Sequence, residues 1–170
     1  MSHPSGVIVG VGAENGLGAA LCRRFAREGH HILVAGRTLE KIERVVLSIR
    51  ETGGSAEAVE TDTTREEDVV RLFDRAMSPG EGREPADLAI FNAGNNQLID
   101  FRKLTAEQFE KFWRVGCFGG FLGIWYISCE GLITALSRII YFCNVYVFVQ
   151  LVRNRRFYYI EGGREITGSV

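Results

Sequence analysis

The sequence predicts a doubly wound α/β domain: a parallel sheet with helices on both faces, incomplete at its C-terminal end. Three observations carry that prediction. Short β-branched runs alternate with stretches of helical hydrophobic period in the order β-α-β-α-β-α-β-α. The first run opens directly into a glycine-rich turn. The length of 170 residues fits a single domain.

Gly6-Val7-Ile8-Val9-Gly10 reads as a buried strand bounded by glycine. Leu17, Leu21 and Phe25 then fall at i, i+4 and i+8, with Arg23, Arg24 and Arg27 on the other faces, and Gly29 ends that helix. His31 to Ala35 is a second strand. Leu39, Ile42, Val46 and Ile49 give a second amphipathic helix, stopped by Gly53-Gly54. A third strand runs from about Ala56 to Glu60. Thr64 followed by Glu67 has the form of a capping box, and Val69, Val70, Phe73 and Met77 form the apolar face of the helix it opens. Leu88-Ala89-Ile90-Phe91 is a fourth strand. Thr105 with Gln108 repeats the capping pattern ahead of a stripe of Phe109, Phe112 and Trp113.

Composition narrows the function classes. The 20 basic and 21 acidic residues nearly balance, which gives no reason to expect nucleic acid or an acidic membrane surface as a partner. Four cysteines, Cys22, Cys117, Cys129 and Cys143, include no C-x-x-C pair. His3, His30 and His31 form no H-x-x-x-H set, so neither a zinc site nor a disulfide framework is expected. Thiols buried in a reducing cytosol fit better, and with no secretory pattern at the N-terminus the expected location is cytoplasmic.

The chemistry-bearing residues follow the strand ends. The first strand runs into Gly12-Ala13-Glu14-Asn15-Gly16-Leu17-Gly18. Such a turn needs glycine because a pyrophosphate must approach the main chain closely, while the helix N-terminus supplies unpaired N–H groups and partial positive charge. The second strand ends at Ala35-Gly36-Arg37. Sites for NAD(H) commonly carry an acidic residue at that point, bonded to the ribose 2′-hydroxyl. Arg37 instead offers a planar fork matched to a 2′-phosphate, so NADP(H) is favoured over NAD(H).

Gly12 to Gly18 resembles the T-G-x-x-x-G-x-G motif of the short-chain dehydrogenases/reductases. Glu60-Thr61-Asp62-Thr63 is similar to the stretch where that family's Asp touches the adenine. Asp87-Leu-Ala-Ile-Phe-Asn92-Ala93-Gly94 is similar to its D-x-x-x-x-N-A-G motif, which closes the cofactor cleft. The resemblance covers about residues 6 to 123 and implies a Rossmann-type fold. It also implies hydride transfer between NADP(H) and an alcohol or carbonyl substrate. The cofactor residues it implies are Gly12, Gly16, Leu17, Gly18, Arg37, Asp62, Asn92, Ala93 and Gly94, with pairing of copies through the fourth helix where that helix forms.

The chain departs from the family pattern at the catalytic residues. The family's acid/base Tyr precedes by four positions a Lys that lowers its pKa, and no Tyr-x-x-x-Lys pair exists in the 170 residues. Gly116 stands where the fourth helix of the family carries Asn. Beyond residue 123 the composition changes: residues 121–160 hold 10 of the 18 aromatic residues, and no lysine follows Lys111. The expected division is a nucleotide-binding domain over 1–123 and an aberrant aromatic-rich tail over 124–170. Residues 162–170 in that tail resemble the family's fifth strand and place Ser169 at its catalytic Ser position. Two other readings stand beside the oxidoreductase. One is a catalytically inactive truncated or mis-spliced form that retains at most cofactor binding. The other is a membrane-anchored protein through residues 131–152, a span weakened by Arg138 and Asn144.

Overall fold

The computed structural model describes residues 3–78, 80, 82–94, 99, 101–123, 138–142, 147–151, 156–161 and 164–169. Four strands and their helices follow the predicted order: β1 His3–Val9, α1 Leu17–Arg27, β2 His31–Gly36, α2 Leu39–Glu51, β3 Ser55–Glu60, α3 Glu66–Met77 and β4 Arg83–Phe91. A short 3-10 turn, Phe101–Lys103, precedes α4, Ala106–Trp113. A π-turn over Arg114–Phe118 continues α4, and residues 119–123 are helical again. Four further strands complete the sheet: β5 Arg138–Phe142, β6 Val147–Leu151, β7 Arg156–Glu161 and β8 Arg164–Ser169.

The strands lie in the order β3-β2-β1-β4-β5-β6-β7-β8. From β3 to β5 every neighbouring pair is parallel; β5 to β8 are joined antiparallel. Parallel pairing requires crossovers, and the helices between β1 and β4 supply them. The chain starts at β1, winds outward through β2 to β3, then returns to place β4 on the other side of β1. That reversal opens a crevice at the carboxyl ends of β1 and β4.

Strand alternation sorts the core onto two faces. Ile8, Ile32, Val34, Leu88 and Ile90 face one way and pack with Ala19, Cys22, Ile42, Val45 and Ile49 of α1 and α2. Val7, Val9, Leu33, Ala89 and Phe91 face the other way and meet Val69, Leu72, Phe73 and Ala76 of α3, together with Val115 and Leu122 from the fourth helical segment. All six residues of β2 are buried, as expected of a central strand covered on both sides.

Several local expectations change. The buried face of α1 is Gly18, Ala19, Cys22 and Ala26; Leu17 is 56% exposed, and Leu21 and Phe25 only flank the core. Small side chains let this helix lie close to the strands, so the larger residues move to its margins. On α3 the inner stripe is Val69, Leu72, Phe73 and Ala76, with Val70 and Met77 half-buried. The Thr64–Glu67 capping box does not form, because α3 begins at Glu66 with Arg65 as its N-cap. The Thr64 hydroxyl and amide instead donate to Asp62 Oδ1 at 2.8 and 2.9 Å. The Thr105–Gln108 box is present in both directions. The α4 stripe is largely open to solvent, with Phe109 60% and Trp113 45% exposed.

The strand beside β4 is β5, whereas residues 164–169 form β8 at the far end of the sheet. Four strand spacings, roughly 19 Å, separate β8 from β4. Within 131–152, the span of the membrane reading, the described residues are strands β5 and β6. No helix among the described residues is long and apolar enough to cross a membrane.

Glu57 on β3 ties three elements together at the sheet edge. Arg75 of α3 donates to both its oxygens at 3.0 Å, Arg83 lies 3.8 Å away, and His31 Nε2 stands 4.0 Å off, beyond hydrogen-bond reach. His31 and the Arg75 fork draw the Glu57 carboxyl from 4.5 down to about 2, against the opposing effect of burial. A carboxylate depressed on folding contributes fully above its unfolded value and loses that contribution as the pH falls toward 2. Glu57→Gln should therefore lower stability by about 1 kcal/mol at pH 7. Thermal unfolding of the two proteins should converge between pH 4.5 and 2; a gap that stays constant would place the effect outside this ion pair.

Candidate functional site

The site is built where β1 and β4 end. The amides of Gly10 and Val11 both donate to Ala35 O at 2.9 Å, turning the chain out of β1 against the end of β2. Gly10 adopts φ +88°, and a Cβ on it would overlap the backbone of Ala93. Asn92 closes the same junction from β4: its amide donates to Val9 O at 2.8 Å and its Nδ2 to Gly10 O at 3.2 Å. Gly18 lets α1 descend onto this knot, since a Cβ there would lie 3.1 Å from Asn92 Nδ2 and 3.2 Å from Val11 Cα.

A cleft of about 530 Å³ opens above the knot. Of the residues expected to hold a cofactor, Gly12, Gly16, Leu17, Gly18, Arg37, Asn92, Ala93 and Gly94 all line it. Gly16 is the N-cap of α1 and has no side chain to satisfy the first-turn amides, which stay available to an anion. Gly12 supplies a direct test of fit: it has no positive φ, and a Cβ on it would meet no protein atom within 4 Å. Nothing among the described residues requires glycine there, whereas a ligand backed against the main chain would.

Asp62 does not line this cleft. It lines an adjoining cavity of about 360 Å³ with Glu60, Arg65, Asp68 and Arg71, and Arg37 lines both spaces. Asp68 is a residue that sequence reasoning missed. It is buried, its Oδ2 accepts the Asp62 amide at 2.9 Å, and its Oδ1 accepts from Arg71 at 2.9 Å. The Asp62 amide is the main cause, and Arg71 and Arg65 lesser ones, of a carboxyl held below its ordinary range. The available signal was the acidic first turn of α3, Glu66-Glu67-Asp68, which reads from sequence only as a favourable helix start. Thr61 and Thr63, also missed, are buried residues of the main cleft, and Thr61 N donates to Gly36 O at 3.0 Å.

The fourth helical segment closes one side. Val115 in the π-turn is buried and lines the cleft, and Gly116 lies in that turn. Gly119 abuts Thr63, where a Cβ would come within 2.8 Å of the Thr63 Cβ and carbonyl oxygen. Ser169 ends β8, which pairs with β7, so the strand order separates it from the cleft by β5, β6 and β7. The Cys22 thiol is pushed up to about 12 by burial and is no nucleophile at neutral pH.

Known proteins share this arrangement. The family model described as short chain dehydrogenase matches residues 6–145. A 3beta-hydroxysteroid dehydrogenase 1 from Eggerthella lenta is 35% identical over 117 residues, covering 68% of this chain and 44% of the relative. Among solved structures, a short-chain dehydrogenase from Rhodopseudomonas palustris superposes with a TM-score of 0.66 at 26% identity, covering 78% of this chain and 59% of that one. A hydroxysteroid dehydrogenase from Escherichia coli gives 0.66 at 26% identity, covering 76% and 52%. The chain spans less than half the length of the curated relatives it matches.

Two glycine substitutions should separate ligand from fold. Gly12→Ala should leave the melting temperature within about 2 °C of the parent while weakening dinucleotide binding at least tenfold. Gly36→Ala should destabilise by about 1–3 kcal/mol or prevent folding, because its Cβ would strike the Val11 carbonyl and lie 2.8 Å from Ile42 Cγ2. Calorimetry and binding titration on the same samples would check both, and equal binding by Gly12→Ala would remove Gly12 from the site.

Proposed function

We propose that this chain, which belongs to the short-chain dehydrogenase/reductase family, binds NADP(H) across its two cavities as the cofactor half of an alcohol–carbonyl oxidoreductase. The observation that carries this reading is Arg37, a guanidinium at the carboxyl end of β2 that borders both spaces. Its position suits the bridge between pyrophosphate and adenosine, and its fork suits a 2′-phosphate. No acidic residue occupies the end of β2 to accept a ribose 2′-hydroxyl.

The roles follow from position. Amides of the Gly12–Gly18 turn and the α1 N-terminus hold the pyrophosphate, Asn92 keeps β1 and β4 at the spacing the cleft needs, and Asp62 faces the adenine. When bound, the cofactor supplies a nicotinamide that gives or takes hydride. The proton that accompanies hydride transfer needs a phenol brought toward neutrality by a nearby cation, and none of the five tyrosines has a lysine four positions on. That absence favours a second reading, a chain that binds cofactor without turning substrate over. Ser169, at the end of β8 and four strand spacings from β4, is not proposed as a catalytic group of this cleft. The exposed Phe109, Trp113 and Phe121 of the fourth helical segment fit pairing with a second copy, as is usual in the family.

Fluorescence titration of the purified chain tests the cofactor. NADPH should bind saturably and more tightly than NADH. Arg37→Glu should weaken NADPH at least tenfold and leave NADH within about twofold. Equal affinity for the two dinucleotides in the parent chain would refute the NADP(H) assignment, and alcohol or ketone turnover by this chain would refute the non-catalytic reading.

A further inference from the structure

We infer that Asp68 is a positioning residue for adenine recognition: it fixes the backbone of Asp62 so that the second carboxylate oxygen of Asp62 meets the 6-amino group of the base. The inference rests on the proposed NADP(H) site and assigns a task to a buried charge that the site does not otherwise use.

Asp68 is the third residue of α3, where an acidic side chain ordinarily serves the open amides of its own helix. Here it reaches back past the N-cap Arg65 and takes the amide of Asp62, six residues upstream and outside the helix, at 2.9 Å. Burying a carboxylate is costly unless it is paired and hydrogen-bonded. Asp68 is only 7% exposed, and Arg71 at 2.9 Å with Arg65 at 4.0 Å completes its shell. The charge is thus held for the loop that follows β3, not for the helix.

The loop then presents Asp62 with one oxygen committed and one free. Oδ1 accepts from the amide and hydroxyl of Thr64, and Oδ2 has no hydrogen-bond partner among the described residues. An ionised carboxylate only accepts, so its free oxygen calls for a donor. The other described residues lining the 360 Å³ cavity are Arg37, Glu60, Arg65, Asp68 and Arg71, and Arg65 and Arg71 are paired with Asp68. Adenine offers a donor at its 6-amino group; hypoxanthine carries an acceptor oxygen at the same place and would be repelled.

The test is titration of the full chain with NADPH and with its hypoxanthine analogue, in the parent and in Asp62→Asn, Asp68→Asn and the double variant. The parent should prefer the adenine form at least tenfold. Asp62→Asn should abolish that preference, Asp68→Asn should reduce it several-fold, and the double variant should lose no more than Asp62→Asn alone. A merely structural Asp68 would weaken both dinucleotides equally and keep the parent ratio, which would overturn the inference. If Asp68→Asn does not fold, Arg71→Ala decides, since Arg71 is exposed on its outer side: a reduced ratio supports the inference and an unchanged one overturns it. A parent chain that binds NADPH without discriminating the base overturns this inference and leaves the cofactor reading intact; a parent chain that binds neither dinucleotide overturns both.

Discussion

Strands β1 and β4 meet at their carboxyl ends more closely than any side chain would permit, and the rest of the site is arranged about that meeting. Gly10 must be glycine twice over, for its positive φ and for the Ala93 backbone lying where a Cβ would be. Once the two strands touch there, Asn92 can bridge from one to the other, and α1 can descend onto the bridge because Gly18 gives it room. The cleft is the space left on the far side of this contact. Its floor is main chain, which is why a charged, flat ligand can lie against it.

A second constraint governs the adjoining cavity. There the chain after β3 is held by charge: Asp68 buried behind Asp62, Arg71 outside it, and Thr64 on the Asp62 carboxylate. The two halves of the site differ accordingly. The main cleft is shaped by the absence of side chains, and the adjoining cavity by side chains that hold one another. Arg37 belongs to both, and Gly36 beside it is pressed against Val11 so that the end of β2 has one available course.

The sheet continues past the domain that the motifs describe. The dense apolar runs beyond residue 123 show no period from which an element can be assigned. In an apolar run, a strand buried on both faces and a buried helix look alike, and only a pairing partner separates them. With β4 in place, Arg138–Phe142 pairs parallel to it, and the following strands add by antiparallel turns. The short Gly/Ser-bearing end is indeed extended, yet its neighbour is β7 rather than β4. Sequence similarity to a fifth strand carries no information about which strand lies beside it.

What the sequence determined by itself is local or close to local: the order of strands and helices, the glycine turn after β1, the capping box at Thr105, and the residue types at each strand end. These depend on backbone angles, periodicity and short-range hydrogen bonds, which the amino acids state directly. Eight of the nine expected cofactor positions line the main cleft, because strand ends in a doubly wound sheet converge wherever the chain reverses direction. Tertiary structure alone decided the rest. It turned Thr64 from a helix cap into a clamp on Asp62, put small residues instead of leucines on the inner face of α1, moved Asp62 into a second cavity and buried Asp68 behind it. Each of those outcomes depends on how closely two distant segments approach, a distance that packing sets and that no spacing along the chain records.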